Sequence, residues 1–413
     1  MKYNVAIIGG GPAGLMAAGR AAETGARVII IEKNKQLGVK LLLTGGGRCN
    51  ITNLIEQPKS LATAYHESGK FLLSAFSRFG PVETLDFFER RGVKTKVEAN
   101  ARVFPKSNSA KDILQALVNY SAEFGVEIKT GAVVKEMICN SDRIVAVKLL
   151  NNEEISADNI ILCVGGKSYP ATGSTGEGYK WLKQLGHSLT EIKPALTPLI
   201  VKEKFLAELQ GLSLTDCKIG LYSASRKISS RRGEIIFTSN GLSGPLALDL
   251  SHEIGRLPLG NVIIKIDFKP DESVSQLEEK MLAIFRADNN KEIKNSLLKI
   301  LPPKLIPIIL RLSATPAGKK VNSVTKEERK KNIELIKIFT LEIKGLAGYD
   351  SAMITSGGVN LKEVDQRTMR SKLVNNLFLA GEILGIDGPT GGYNLQVCWS
   401  SGYVAGENAG KKA

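Results

Sequence analysis

Near the start of the chain, Gly9-Gly10-Gly11-Pro12-Ala13-Gly14 has the composition and spacing to hold a pyrophosphate. Gly9 permits a tight turn, Gly11 lets the backbone approach phosphate oxygens, and Gly14 lets the following helix pack closely on the preceding strand. An anion placed there meets the free N–H groups of a helix N-terminus. Eighteen positions after Gly14 comes Glu32, whose carboxylate can accept both hydroxyls of a ribose, followed by Lys33. The flanks are in the required order. An apolar run, Tyr3 to Ile8, leads into the turn, the small-residue stretch Leu15 to Ala22 leaves it, and Arg27 to Ile31 gives a second strand. This is the pattern of a dinucleotide-binding βαβ unit.

Which dinucleotide binds is decided far from the N-terminus. Glu127 to Leu149, containing Val133 and Val134, alternates as a strand meander. Ile155 to Val164 runs apolar into Gly165-Gly166, and Asn376 to Glu382 is a short apolar strand ending in Gly381 and an acid. Two-domain flavoprotein folds return to the first βαβ unit with such a strand and set a carboxylate beside the ribityl chain, so the expected cofactor is non-covalent FAD. Asp387 to Gln396 is then a glycine-rich turn, including Gly391, Gly392, Tyr393, Asn394, Leu395 and Gln396, that opens a small-residue helix through Gly410. Its N-terminus is expected to face the flavin and stabilise the reduced ring.

The remaining candidates lie between Lys40 and Asn53. Thr44, Gly45, Gly46, Arg48, Cys49 and Asn50 are expected near the flavin, with Lys40, Arg48 and Asn50 as candidate catalytic groups. Lys40 and Arg48 supply positive charge, while Asn50 and Asn394 are neutral donors. Cys49 is expected to pack near the ring rather than to act as a nucleophile or anchor. His66, His187 and His252 are expected to be structural or exposed.

The segments Thr44 to Asn53, Gly241 to Pro245, Thr355 to Val359 and Asp387 to Gln396 together resemble the bacterial three-domain flavoproteins related to aminoacetone oxidase and the bile-acid-inducible flavoprotein. The resemblance covers essentially the whole chain. It implies an α/β fold with α+β inserts: a split Rossmann-like FAD-binding domain, an inserted β-barrel-like domain and a nested helical domain. Two residues depart from the family pattern. Ser239 stands where the family often has His, and Gly385 where Asp is common.

The chain-wide pattern gives the same partition. The expected FAD domain is 1–192 with 352–413, the barrel-like domain 193–269 with 332–351, and the helical insert 270–331. Leu196 to Phe268 is rich in β-branched alternation. From Gln276 the period turns helical through Leu277, Met281, Ile284 and Phe285, then Leu297, Leu298 and Leu301, and Thr325-Lys326-Glu327-Glu328 is a capping box.

Length and composition exclude several classes. The 413 residues suffice for two or three domains, and 43% hydrophobic with 23% charged residues is globular composition. No apolar run reaches a membrane span, so the expected location is the cytoplasm. Five scattered cysteines without a CxxC argue against a metal site or redox dithiol. No second GxGxxG is present, since Gly173 to Gly178 has the wrong spacing. Electrons are therefore expected from a substrate at the flavin or from transiently docking NAD(P)H. The net charge is +15, and 286–331 holds twelve Lys and Arg against four Asp and Glu. A surface of this kind attracts anions.

The function expected is an FAD-dependent oxidoreductase of a small molecule, an amine or amino-ketone oxidase or a carbonyl or enone reductase. Two alternatives stand beside it: a flavin-dependent RNA-modifying enzyme, favoured by charge alone, and a redox or binding module. Nothing in the sequence fixes an oligomeric state.

Overall fold

The first strand, β1 (Tyr3–Ile8), is apolar at almost every position because it is buried on both faces, as the inner strand of a parallel sheet must be. The computed structural model describes residues 2–411. Helix α1 (Pro12–Glu23) follows β1 with Pro12 in its first turn, where the missing N–H costs no hydrogen bond. Strand β2 (Val28–Ile31) pairs parallel with β1, placing Val5 against Val28 and Ile8 against Ile31. The strand Ala157–Leu162 lies on the other side of β1, the strand Leu377–Leu379 lies beyond it, and Glu127–Lys129 lies beyond β2. This gives a five-stranded, all-parallel sheet. The late strand Leu377–Leu379 therefore completes the sheet started by the N-terminus.

The expected meander divides differently from the sequence pattern. Glu127–Lys129 joins the parallel sheet, whereas Val134–Asn140 and Arg143–Leu149 form an antiparallel hairpin with Glu154–Ile155. Alternation cannot distinguish these two uses, because it records burial and not the pairing partner.

The chain forms two compact units, Met1–Ala195 with Tyr349–Ala413, and Leu196–Gly348. The first holds the parallel sheet and the long helix Tyr393–Gly410. The second contains a closed barrel of six strands: Leu199–Val201, Gly241–Ser243, Arg226–Thr238, Ser213–Ser223, Val262–Asp267 and Phe339–Leu346. Inward residues such as Ile219, Ile235, Ile264 and Leu341 are fully buried. Leu277, Met281 and Phe285 of the helix Val274–Ala287 and Ile333 and Ile336 of the helix Lys326–Lys337 belong to the same hydrophobic cluster. The helical segment thus shares one core with the barrel. Its capping boxes form at Ser273 with Gln276 and at Thr325 with Glu328, while Leu298 is exposed.

Candidate functional site

The glycine turn after β1 is closed toward the protein and open on one side only. A Cβ on Gly9 would lie 2.5 Å from the Cys163 carbonyl oxygen, and one on Gly14 would lie 1.9 Å from the Gly9 oxygen. A Cβ on Gly11 would meet nothing within 4 Å. Gly9 has φ +103°, so the turn itself requires glycine. No side chain caps α1, leaving the N–H groups of its first turn, those of Ala13 and Gly14, directed past Gly11 into that open space. A pyrophosphate fits this arrangement: free donors, an open approach and no competing carboxylate cap.

Glu32 sits at the end of β2 and is 8% exposed. Its Oε2 accepts the Gly10 N–H at 2.6 Å and its Oε1 accepts the Asn34 N–H at 2.8 Å. Each oxygen keeps a further lone pair, so the carboxylate is oriented by backbone donors without being used up. Lys33 turns away to Glu177 and Thr175, at 2.6 and 2.7 Å. Gly173 to Gly178, glycine-rich but wrongly spaced, is accordingly a strut against the end of β2. Val133 accepts from the Leu150 N–H, and Val134 opens the hairpin next to it.

Lys40 and Glu382 are brought together from the two ends of the first unit. Lys40 Nζ donates to Glu382 Oε2 at 2.8 Å and to Ser168 Oγ at 2.7 Å. Glu382 Oε1 in turn accepts from Ser168 Oγ at 2.8 Å and from the Thr355 N–H at 2.7 Å. Burial works to raise the Glu382 carboxyl, but attraction to Lys40 and bonds from Lys40, Ser168 and Thr355 outweigh it and hold the group below its ordinary value. Gly165 and Gly166, with Val164 before them, run over this network. A Cβ on Gly166 would lie 2.5 Å from Thr355 Oγ1 and 2.8 Å from Glu382 Oε1. Gly381 has φ +78°, and its N–H donates to Ser401 Oγ. Ser168 and Thr355 were absent from the sequence-based site. The signal for them is positional: Ser168 comes two residues after the glycine pair, and Thr355 opens the Thr-Ser-Gly-Gly stretch.

The other sequence candidates separate into inward-facing and surface groups. Arg48 pairs with Glu98, donates to Asn108 at 3.0 Å and lies 4.0 Å over the Phe104 ring. Cys49 is fully buried with φ +59°, and burial pushes its thiol up to about 12 against an opposing hydrogen bond from Thr44. In the orientation that satisfies its amide, Asn50 donates to the Val103 and Thr52 carbonyls and accepts the Gly392 N–H at 3.1 Å. Thr44 Oγ1 donates to the Leu41 carbonyl, and the positive φ of Gly45 and Gly46 turns the chain there.

The turn at Gly391-Gly392 is fixed from the protein side. Gly392 has φ +97°, and a Cβ there would overlap the Thr52 backbone at 2.4 Å, so the close approach that demands glycine is to the strand Thr52–Asn53. Asn394 ties the turn together, accepting the Gly388 N–H and donating to the Gly388 carbonyl, both at 2.9 Å. The Tyr393 carbonyl accepts from Tyr65 at 2.8 Å, and Leu395 packs on the main core. Gln396 is fully buried and bonds Thr52, Thr84, Phe79 and Ser400. Its side chain serves the interior. No side chain caps the helix Tyr393–Gly410 at Gly392, whose own N–H goes to Asn50.

A doubly wound parallel sheet with a phosphate-type glycine turn, an acid closing β2 and a distant completing strand defines an FAD-dependent oxidoreductase. The chain belongs to the family described as HI0933-like protein Rossmann domain, whose model matches residues 3–408. It is 32% identical over 99% of both chains to the 3-dehydro-bile acid delta(4,6)-reductase of Clostridium scindens. It is 29% identical to the ribosomal RNA dihydrouridine synthase of Haemophilus influenzae, over 96% of both chains. Among solved structures, the 3-ketosteroid-delta4-(5alpha)-dehydrogenase of Rhodococcus jostii RHA1 is similar in fold, with a TM-score of 0.58 and 16% identity, covering 100% of this chain and 97% of that one. No helix among the described residues is long and apolar enough to cross a membrane.

Proposed function

We propose that the protein is an FAD-dependent reductase that saturates a carbon–carbon double bond conjugated to a carbonyl, and that its substrate is a uracil ring in RNA. Two relatives matched over their full length have names that describe this one reaction on unrelated molecules. A delta(4,6) 3-dehydro steroid acid and a uridine both carry a C=C conjugated to C=O. Bound FAD supplies the hydride carrier. NAD(P)H serves as the donor in this reading, so alkene, NAD(P)H and a proton give the saturated product and NAD(P)+.

The chain's own residues divide the work. Ala13 and Gly14 offer N–H groups to the pyrophosphate, and Glu32 receives the ribose. Lys40 has three N–H donors, two of which go to Glu382 and Ser168. The third remains for a carbonyl oxygen that gains negative charge as hydride adds to the far end of the double bond.

The observation that carries RNA over a small molecule is the net charge of +15. A polyanion is the substrate such a field recruits. The second reading, a small 3-keto polyene, rests on the 32% identity to the bile-acid enzyme. Anaerobic incubation with NADH or NADPH and either RNA or a 3-keto-4,6-diene steroid separates the two by mass spectrometry. Gain of hydrogen in uridine supports the RNA reading, and gain only in the steroid supports the second. No hydrogen gained by either the RNA or the steroid, with NADH or with NADPH, overturns both.

A further inference from the structure

The basic surplus of the second unit is confined to one place. Residues 286–331 hold twelve Lys and Arg against four Asp and Glu, whereas the remainder of Leu196–Gly348 is balanced at thirteen of each. Several of the twelve are neutralised locally. Lys291 and Lys299 pair with Asp288, Lys319 with Glu328, Arg329 with Glu278, Lys294 with Glu292 and Arg311 with Glu208. Lys320, Lys326, Lys330 and Lys331 are exposed and make no ion pair among the described residues.

These four are carried by the helix Lys326–Lys337 and the segment just before it. The opposite side of the helix, Asn332, Ile333 and Ile336, is buried, so the helix is anchored and its lysines stand outward. Lys326 and Lys330 are about 6 Å apart along the axis. A like-charge pair at this spacing weakens a helix. Glu327 and Glu334 are the acids on the exposed side. The helix N-terminus itself is already satisfied by Thr325 and Glu328, so it is not the anion site.

We infer that this outward face of the helix Lys326–Lys337, together with Lys320, is the surface on which the RNA backbone docks. The inference rests on the RNA reading above. Phosphate contacts of this kind fix register without reading bases, and each releases a condensed counterion.

The test uses the FAD-loaded full chain and a short, labelled, single-stranded uridine-rich RNA, with affinity followed against salt. Replacing all four lysines by Ala should weaken binding by about tenfold or more at low salt and reduce the log–log salt slope by about 3. The control replaces Lys59, Lys70, Lys111 and Lys135, which are equally exposed on the first unit, and removes the same charge. Equal loss in both variants assigns the effect to net charge and overturns the inference, as does an unchanged slope in the first. FAD content and melting temperature report folding. If the fourfold variant is unfolded, Lys326→Ala with Lys330→Ala relieves a like-charge pair and should still lower the slope by about 1.4. RNA bound at this face but never reduced would leave the docking surface standing and sink the reaction.

Discussion

Glu32 illustrates how a side chain is prepared for a ligand before the ligand arrives. Its two oxygens are held by the N–H groups of Gly10 and Asn34, so their remaining lone pairs point in fixed directions. Replacing it by Ala should remove two charge-assisted bonds to the ribose and cost on the order of 2–4 kcal/mol of FAD affinity. Fluorescence titration of the apoprotein measures this, and undiminished affinity would place the ribose elsewhere. His187 answers to pH instead of to a ligand. It is fully buried as a side chain, with Nδ1 3.0 Å from Glu363 and Nε2 2.9 Å from Ser371 Oγ. Burial lowers its proton affinity more than Glu363 raises it, so the folded value lies below the ordinary 6.5. The unfolded chain then binds the extra proton first. Stability should be complete above about pH 6.5 and fall as pH drops toward the folded value. Urea midpoints between pH 7.5 and 5.5 should decline by more in the wild type than in His187→Gln. Equal declines would mean the histidine is not the group responsible.

The strand–turn–helix at β1 and α1 makes a prediction that separates fold from ligand. Gly14 has no room for a methyl group because the Gly9 oxygen lies 1.9 Å from where its Cβ would be, whereas Gly11 has open space and φ −82°, which any residue adopts. Gly14→Ala should therefore lower the melting temperature with or without FAD. Gly11→Ala should melt like the wild-type apoprotein yet bind FAD more weakly, because the methyl group occupies the approach of the pyrophosphate. Thermal scans of apo and loaded forms check both. A destabilised Gly11→Ala apoprotein would show that the turn is closed on that side too.

At the scale of the molecule, the second unit has the marks of an insertion. Its ends meet: the Ala347 N–H donates to the Pro198 carbonyl at 2.9 Å, and Thr197 Oγ1 donates to the Ala347 carbonyl at 3.0 Å. The host's ends meet as well, through antiparallel pairing of Lys193–Ala195 with Ile354–Ser356. Each unit has its own hydrophobic cluster. Leu196–Gly348 expressed alone should fold cooperatively, and the first unit closed by a short Gly-Ser linker should retain FAD. Circular dichroism melting and flavin absorbance check these outcomes. A non-cooperative barrel unit would show that the two cores depend on each other.

Local spacing alone determined the features that depend on local chemistry. The glycine turn and Glu32 are legible because each residue's role is set by backbone geometry within one βαβ unit. The Thr325 capping box, the barrel's alternating strands and the small-residue helix to Gly410 follow from period and composition in the same way. Tertiary structure decided where long side chains go. Lys40 finds Glu382 across 342 positions, Arg48 goes to Glu98 and Phe104, and Gln396 turns inward to Thr52 and Thr84. It also assigned Glu127–Lys129 to the parallel sheet and gave Gly392 its close contact with Thr52. The physical reason is range: backbone conformation and burial period are set by neighbours in sequence, whereas the partner of a charge or an amide is whichever group the completed fold brings within about 3 Å.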